Sequence, residues 1–260
     1  MTESPYSRPQ AYDVAFSFRD YSKAVDFLTE ASSLAGLREI KSIVELGCGP
    51  AQYAREFGRR GINAFGIDLS SEMISYATDL STKGKLPCRI IQADMRSFVL
   101  PEKVDLAICM MATIHILLTN EDMVSHLRSV ADNLKPHGYY FIEMTHPRDI
   151  FPGNSGVENK WELEKDGITV VTDWGTNSAL DVTTEINTGT VSYIITQNGE
   201  TEKIKFSEKW RAISFGLMKA LIELSGRFEI VASYGDLDVK IPFNNDKKAW
   251  RMALMLRKTE

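Results

Sequence analysis

Cysteine is scarce: Cys48, Cys88 and Cys109 are the only three in 260 residues, and none of their spacings is that of a metal-binding motif. A disulfide-stapled scaffold is excluded, and Cys88 and Cys109, placed in apolar runs, read as small buried thiols of a reducing compartment. No stretch of about 18 apolar residues occurs, so no membrane span is expected. The opening MTESPYSRPQ lacks the apolar core of a signal peptide, and the expected location is the cytoplasm. Positive charge is not in excess either, with 30 Lys and Arg against 35 Asp and Glu and a net charge of −5. Nucleic acid is therefore not an expected partner, because phosphate binding needs a concentrated positive face. What is present, 43% hydrophobic and 25% charged residues, suffices for one large domain with a sizeable insertion.

The first half alternates strand-like and helix-like patterns, which predicts a parallel sheet covered on both faces. Strands are expected at 42–46, 63–67, 89–93, 104–110 and 139–144. Between them, helices are expected at 51–60, after an N-cap at Ser70, and after an N-cap at Asn120. The spacing of Ile213, Leu217, Leu221 and Leu224 predicts a late helix closed by Gly226, followed by strands at 228–232 and 249–256. From 147 to 210 the grammar changes to β-branched stretches at 168–172, 182–186, 191–196 and 203–206. Asn198-Gly199, between two of them, is a strong hairpin signal. The expected fold is thus α/β: a doubly wound, seven-stranded, mostly parallel sheet formed by 1–146 and 211–260, with 147–210 inserted as an antiparallel β-sheet lid.

Val44-Glu45-Leu46-Gly47-Cys48-Gly49-Pro50-Ala51 follows a strand and opens a helix. Glycines at that place let the backbone approach a ligand at the carboxyl ends of the strands. Asp68, at the end of the second strand, can accept hydrogen bonds from both hydroxyls of a ribose. These features indicate a nucleoside-containing cofactor. A dinucleotide fold would carry a third glycine where Gln52 stands. Asp94, just after the third strand, is placed for the amino group of an adenine.

With these motifs the chain resembles the class I S-adenosylmethionine-dependent methyltransferases. VELGCGPA resembles their first motif, GIDLS (66–70) their ribose motif, IIQADM (90–95) their adenine motif, and LKPHGYYFIEM (134–144) the segment leading through their fifth strand. AYDVAFSFRDY (11–21) looks like an N-terminal lid helix. The insertion and YGDLD (234–238) look like a subgroup acting on small molecules. The resemblance implies S-adenosyl-L-methionine as cofactor, with Glu45, Gly47 and Gly49 bordering its methionine portion. It implies Asp68 at the ribose, Leu69 against the adenine ring, Asp94 on the adenine amino group, the Met95 amide facing a ring nitrogen, and the Met110 carbonyl toward the ligand's amino group. Two positions depart from the pattern. Ala51 replaces a common glycine, tolerable if its dihedrals are already helical, and His137 replaces the second glycine of a Lys-Pro-Gly-Gly turn.

The expected reaction is methyl transfer to an O or N atom of a small-molecule acceptor, by a monomer or homodimer with no nucleic-acid, membrane or metal partner. Of four histidines, His126 in mid-helix and His137 in a turn are expected to be solvated. His146 and His115 follow strands at the catalytic rim and are the candidate bases, His146 first, with Tyr12 as a further candidate. Tyr12, Phe16 and Phe18 offer aromatic faces to a sulfonium or a substrate cation, or pack a helix on the core. Arg19 could meet a carboxylate, and Trp161, Trp174 and Trp210 could line an acceptor pocket. The competing readings are another enzyme on this cofactor site, such as an aminopropyl transferase or nicotinamide oxidoreductase, and a non-catalytic cofactor-binding protein.

Overall fold

The computed structural model describes residues 4–151 and 160–259. After a 3-10 turn at Pro5–Ser7, two helices, α1 (Pro9–Ala15) and α2 (Tyr21–Leu34), precede the first strand. Then come β1 (Ser42–Leu46), α3 (Gln52–Arg59), β2 (Asn63–Asp68), α4 (Ser71–Lys83), β3 (Cys88–Gln92) and β4 (Val104–Cys109). A 3-10 turn, Thr113–Ile116, leads to α5 (Asn120–Asn133), β5 (Leu134–Thr145) and the short α6 (Pro147–Ile150). Four strands follow: β6 (Lys160–Lys165), β7 (Ile168–Asp181), β8 (Ile186–Gln197) and β9 (Glu200–Arg211). The chain ends with α7 (Phe215–Ser225), β10 (Phe228–Tyr234) and β11 (Arg251–Lys258).

The main sheet has the order β10-β11-β5-β4-β1-β2-β3. Its pairs are parallel except those of β11, which runs antiparallel to β5 and β10. Order reverses at β1, so the carboxyl ends of β1 and β4 flank the crevice where such sheets take ligands. Alternation along β1 divides the core. Ile43 packs with α2 and α3 through Phe27, Leu28, Tyr53 and Phe57, whereas Val44 and Leu46 pack with α5 and α7 through Leu127, Val130, Met218 and Leu221.

Helix starts follow local chemistry: Asp20, Ser70 and Ser214 accept from the backbone N–H groups of Lys23, Met73 and Leu217. For α5 the cap is Thr119, which accepts from Asp122 N–H, one residue before the expected Asn120. Asn120 is the first helical residue instead, and its side chain accepts from Arg211. Gly226 closes α7 in the left-handed conformation, φ 68°.

The inserted strands form a separate four-stranded antiparallel sheet, β6-β7-β8-β9. Asn198 (φ 52°) and Gly199 (φ 81°) make the two-residue turn joining β8 and β9. The expected strand at 182–186 is a turn, with Glu185 at φ 59°, and β7 runs on to Asp181 before it. Residues 152–159, early in the predicted insertion, lie outside the described residues, as do 1–3 and 260. A third core joins Ala11, Val14 and Ala15 of α1 to Ile168, Val170, Val191, Tyr193, Ile195 and Ile204 of this sheet.

Candidate active site

The glycine loop turns on three successive left-handed residues at alternate positions: Gly47 (φ 59°), Gly49 (φ 50°) and Ala51 (φ 56°). At Gly47 the side chain is excluded by contact as well, since a Cβ there would stand 2.5 Å from Thr113 Cγ2. Ala51 does not have helical dihedrals, contrary to expectation; it is the left-handed N-cap of α3. An L-residue pays about 1–2 kcal/mol for that conformation, and glycine's added backbone entropy cost removes part of the gain. Ala51→Gly is therefore expected to stabilise the fold by about 0.5–1 kcal/mol, read as a higher urea midpoint at unchanged slope.

Asp68, at the carboxyl end of β2, fastens this loop. One carboxylate oxygen accepts from Gly49 N–H at 2.8 Å and the other from Ser70 N–H at 2.9 Å. Burial raises its pKa, against the lowering effect of those amides. Each oxygen keeps a further lone pair for a ligand donor. Glu45 is buried at the other side and accepts from Ala54 N–H at 2.8 Å, which anchors the first turn of α3. Burial pushes its carboxyl up to about 8, although the α3 amides and Arg55 pull the other way.

A narrow cleft opens over this loop, lined by Glu45, Gly47 and Gly49 from below, Met110, Met111 and Thr113 from the end of β4, and Tyr12 and Phe16 from above. Tyr12 Cε1 lies 3.7 Å from where a Gly49 Cβ would be, so its ring covers the glycine loop. Its phenol is held protonated, chiefly by burial and then by the charges of Asp68 and Glu208. The helix bearing Tyr12 is clamped from beneath: Asp13 accepts from Gln52 Nε2 and from Tyr76 Oη. Gln52, which stands where a dinucleotide fold has its third glycine, thus ties α1 to α3.

A buried charge cluster adjoins the cleft. Glu143 on β5 is fully buried and meets Arg19 at 2.7 Å and Arg251 at 3.3 Å, while accepting from Met111 N–H at 2.9 Å. Burial alone would raise its pKa, but the two guanidinium groups and the amide outweigh that and lower it. Two cations against one anion leave the cluster net positive. The Arg19 Nε and Tyr53 Oη atoms are buried without a partner. Met111, held by its N–H bond to Glu143, and Ala112 follow as two consecutive left-handed residues, φ 56° and 59°, just after β4. Arg19, for which a carboxylate partner was one possibility, is paired with Glu143 and mostly buried; the parts of Glu143 and Tyr53 had no signal in the sequence beyond their apolar neighbours.

Of the predicted site residues, Tyr12, Glu45, Gly47, Gly49 and Met110 line the cleft, with Asp68 bonded to its floor. Leu69 lies beside it with 59% exposure, an open apolar surface at the β2 end. Asp94 is not free: Arg96 holds both its oxygens, the closer at 2.6 Å, and the pairing lowers its pKa. The Met95 side chain is buried and its carbonyl is engaged by His126 Nδ1.

The histidines differ most from expectation. His126 is buried rather than solvated, with Nδ1 2.8 Å from Met95 O and Nε2 2.6 Å from Tyr140 Oη. His115 and His146 are buried too, and neither lines the cleft. His115 Nε2 accepts from Thr145 N–H at 3.2 Å, so Nδ1 carries the proton and donates to Arg211 O at 2.6 Å. His146 Nδ1 accepts from Arg148 N–H at 3.1 Å and Nε2 donates to Asn244 O at 3.0 Å. With its one lone pair already occupied, neither ring can take a proton from an acceptor without breaking a backbone hydrogen bond.

Strand order, with a glycine loop at the switch point and an acid at the end of β2, gives a Rossmann-like fold shared with S-adenosylmethionine-dependent methyltransferases. Residues 43–138 match the family described as a methyltransferase domain. The structure is similar to an S-adenosylmethionine-dependent methyltransferase of Clostridium acetobutylicum, with TM-score 0.77, 16% identity, and 94% of each chain covered. In sequence it is 28% identical over 124 residues to a dTDP-3-amino-3,4,6-trideoxy-alpha-D-glucopyranose N,N-dimethyltransferase of Streptomyces venezuelae, covering 45% of this chain and 50% of that one. It is 27% identical over 120 residues to a ubiquinone biosynthesis O-methyltransferase of Hydrogenovibrio crunogenus, covering 45% and 46%. The chain spans about half the length of these curated relatives. Among the described residues, no helix is long and apolar enough to cross a membrane, and no group of His, Cys, Asp and Glu could hold a metal ion.

Proposed function

We propose that this protein transfers a methyl group from S-adenosyl-L-methionine to an O or N atom of a small-molecule acceptor, leaving S-adenosylhomocysteine. The observation that carries this reading is the Gly47–Gly49 loop fastened to Asp68 beneath the Tyr12 ring. When bound, the cofactor supplies an already activated methyl on a sulfonium, so the protein's work is orientation and exclusion of water. Asp68 would hold the ribose with its remaining lone pairs. Gly47 and Gly49 would present bare backbone to the methionine portion, and Glu45 would place its carboxyl group beside it. The unpartnered Arg19 Nε and Tyr53 Oη suit a carboxylate at the β4 end of the cleft. Leu69 would cover the adenine, while Asp94 could serve its amino group only by sharing the carboxylate now held by Arg96. The segment 147–210 would act as the acceptor lid over a core formed by 1–146 and 211–260.

A nicotinamide dinucleotide is disfavoured, because Gln52 fills the place of the third glycine and is committed to Asp13. Calorimetry should show S-adenosylhomocysteine binding in the micromolar range or tighter, about −8 kcal/mol, and no heat with NAD. NAD binding without S-adenosylhomocysteine binding would reject the proposal.

A further inference from the structure

The inserted sheet packs one face on α1, whose Tyr12 and Phe16 roof the cleft, and its register identifies the residues on that face. Directly paired residues of antiparallel strands point the same way. Tyr193 pairs with Ile204, Val191 with Phe206, Gly189 with Glu208, and Asn187 with Trp210. Val191 also pairs with Trp174 of β7. Val191, Tyr193 and Ile204 are buried against α1, which fixes this as the inner face. Glu208 and Trp210 continue it past the apolar contact with α1.

Two carboxylates of β9 share this face around the α1 contact: Glu202, opposite Ile195 and paired with Arg8, and Glu208. Glu208 is the one beyond that contact. It has no salt-bridge partner among the described residues, although the sheet's outer face carries lysines on either side of it, Lys205 and Lys209. Its charge reaches the phenols of Tyr6, Tyr12 and Tyr193, and Tyr12 is the ring that covers Gly49. Trp210 flanks it, with its indole laid across β8 where a Cβ on Gly189 would come within 2.5 Å of Cη2. Trp174, half-buried, stands on the same face and meets Phe16 of the cleft roof at 5.6 Å between ring centroids. Three residues beyond Glu208, the Arg211 carbonyl is bonded to His115, in the turn whose Thr113 lines the cleft. The carboxylate therefore lies on the lid side of the α1 roof, within electrostatic reach of Tyr12 and between Trp210 and the aromatic residues of the inner face.

A half-buried, unpaired carboxylate among aromatic faces favours a cation. We propose that Glu208, with Trp174 and Trp210, recognises a protonated nitrogen in the acceptor, so that the substrate is a small amine. This rests on the methyl-transfer reading above and narrows its acceptor. An ammonium has no lone pair, so its proton must leave before transfer, and the Glu208 carboxylate is placed to take it. The nitrogen lone pair then forms the N–C bond while the C–S bonding pair stays on sulfur. Burial raises the Glu208 pKa, which improves its match to that task.

The test uses the full chain saturated with S-adenosylhomocysteine, with tryptophan fluorescence as the readout and two probes of similar shape at pH 7. Benzylamine is cationic there and benzyl alcohol is neutral. Wild type should bind benzylamine about 10-fold or more tighter than benzyl alcohol, and Glu208→Gln should reduce that preference to about 2-fold or less. Glu208→Gln should leave S-adenosylhomocysteine affinity unchanged by calorimetry. Equal affinities in wild type, an undiminished preference in Glu208→Gln, or a matching loss of S-adenosylhomocysteine affinity in the variant would each overturn the assignment. If wild type failed to bind S-adenosylhomocysteine at all, the methyl-transfer reading itself would fall, and that result is seen before either probe is added.

Discussion

Asp68→Ala is expected to lower S-adenosylhomocysteine affinity by about 100-fold, or close to 3 kcal/mol. Two contributions make the loss that large. The proposed ribose hydrogen bonds disappear, each worth about 1.5–3 kcal/mol when the acceptor is charged. The second is visible in the protein alone. Gly49 N–H and Ser70 N–H lose the carboxylate that now holds them at 2.8 and 2.9 Å, so the glycine loop loses its fastening to β2. A buried amide left without an acceptor costs about 1–3 kcal/mol, so a stability loss of that size should accompany the binding loss. Asp68→Asn separates the two effects. It keeps one carbonyl oxygen for an amide but turns its NH2 group toward the other, and should fall between wild type and Asp68→Ala in both measurements. Calorimetry for affinity and urea denaturation for stability provide the comparison. Wild-type affinity in a destabilised Asp68→Ala would confine Asp68 to holding the loop.

How far the sequence reveals this site depends on whether backbone or side-chain chemistry makes it. The positions of the main-sheet strands, the glycine loop and the acid at the end of β2 were legible because strand periodicity, left-handed glycines and strand-end acids each leave a local trace. The antiparallel insertion was legible for the same reason, through β-branched runs and Asn198-Gly199. Its 182–186 strand was not, because the β-branched residues there lie in a turn with Glu185 left-handed. Ala51 shows the opposite failure: a good helix former occupies a left-handed position, which no propensity scale anticipates. The histidines failed through tertiary contacts alone. His126 looks solvated in a helix whose exposed face cannot be assigned until Met95 and Tyr140 arrive from 31 and 14 residues away. Glu208 was invisible because a strand acid signals nothing until the register shows which face it shares.

The other large effect belongs to His115, as a structural ring rather than a base. Its two nitrogens join β9 of the inserted sheet to β5 of the main sheet, through Arg211 O and Thr145 N–H. His115→Ala would orphan both backbone groups at about 1–3 kcal/mol each and leave a void, so a loss of about 3–5 kcal/mol is expected. The pH dependence supplies an independent signature. Burial lowers the His115 pKa to about 4, and the same cause lowers that of His126 to about 4. The unfolded ring titrates near 6.5. Between those values the unfolded state binds more protons, so stability is full above about pH 6.5 and is lost as pH falls toward 4. At about 1.4 kcal/mol per pH unit, each ring accounts for roughly 3 kcal/mol of that loss. Glu45 acts with the opposite sign: its carboxyl, raised to about 8, makes stability decline as pH rises from about 4.5 to 8. Urea denaturation from pH 4 to 9 should therefore give a maximum near pH 6–7. The acid limb should be shallower in His115→Ala, which no longer carries one of the two rings. Equal wild-type stability at pH 4.5 and 7 would mean that these rings are hydrated and not buried as neutral donors. A pH-rate limb near 6.5 that vanished in His115→Ala, with stability intact, would restore the histidine as a base.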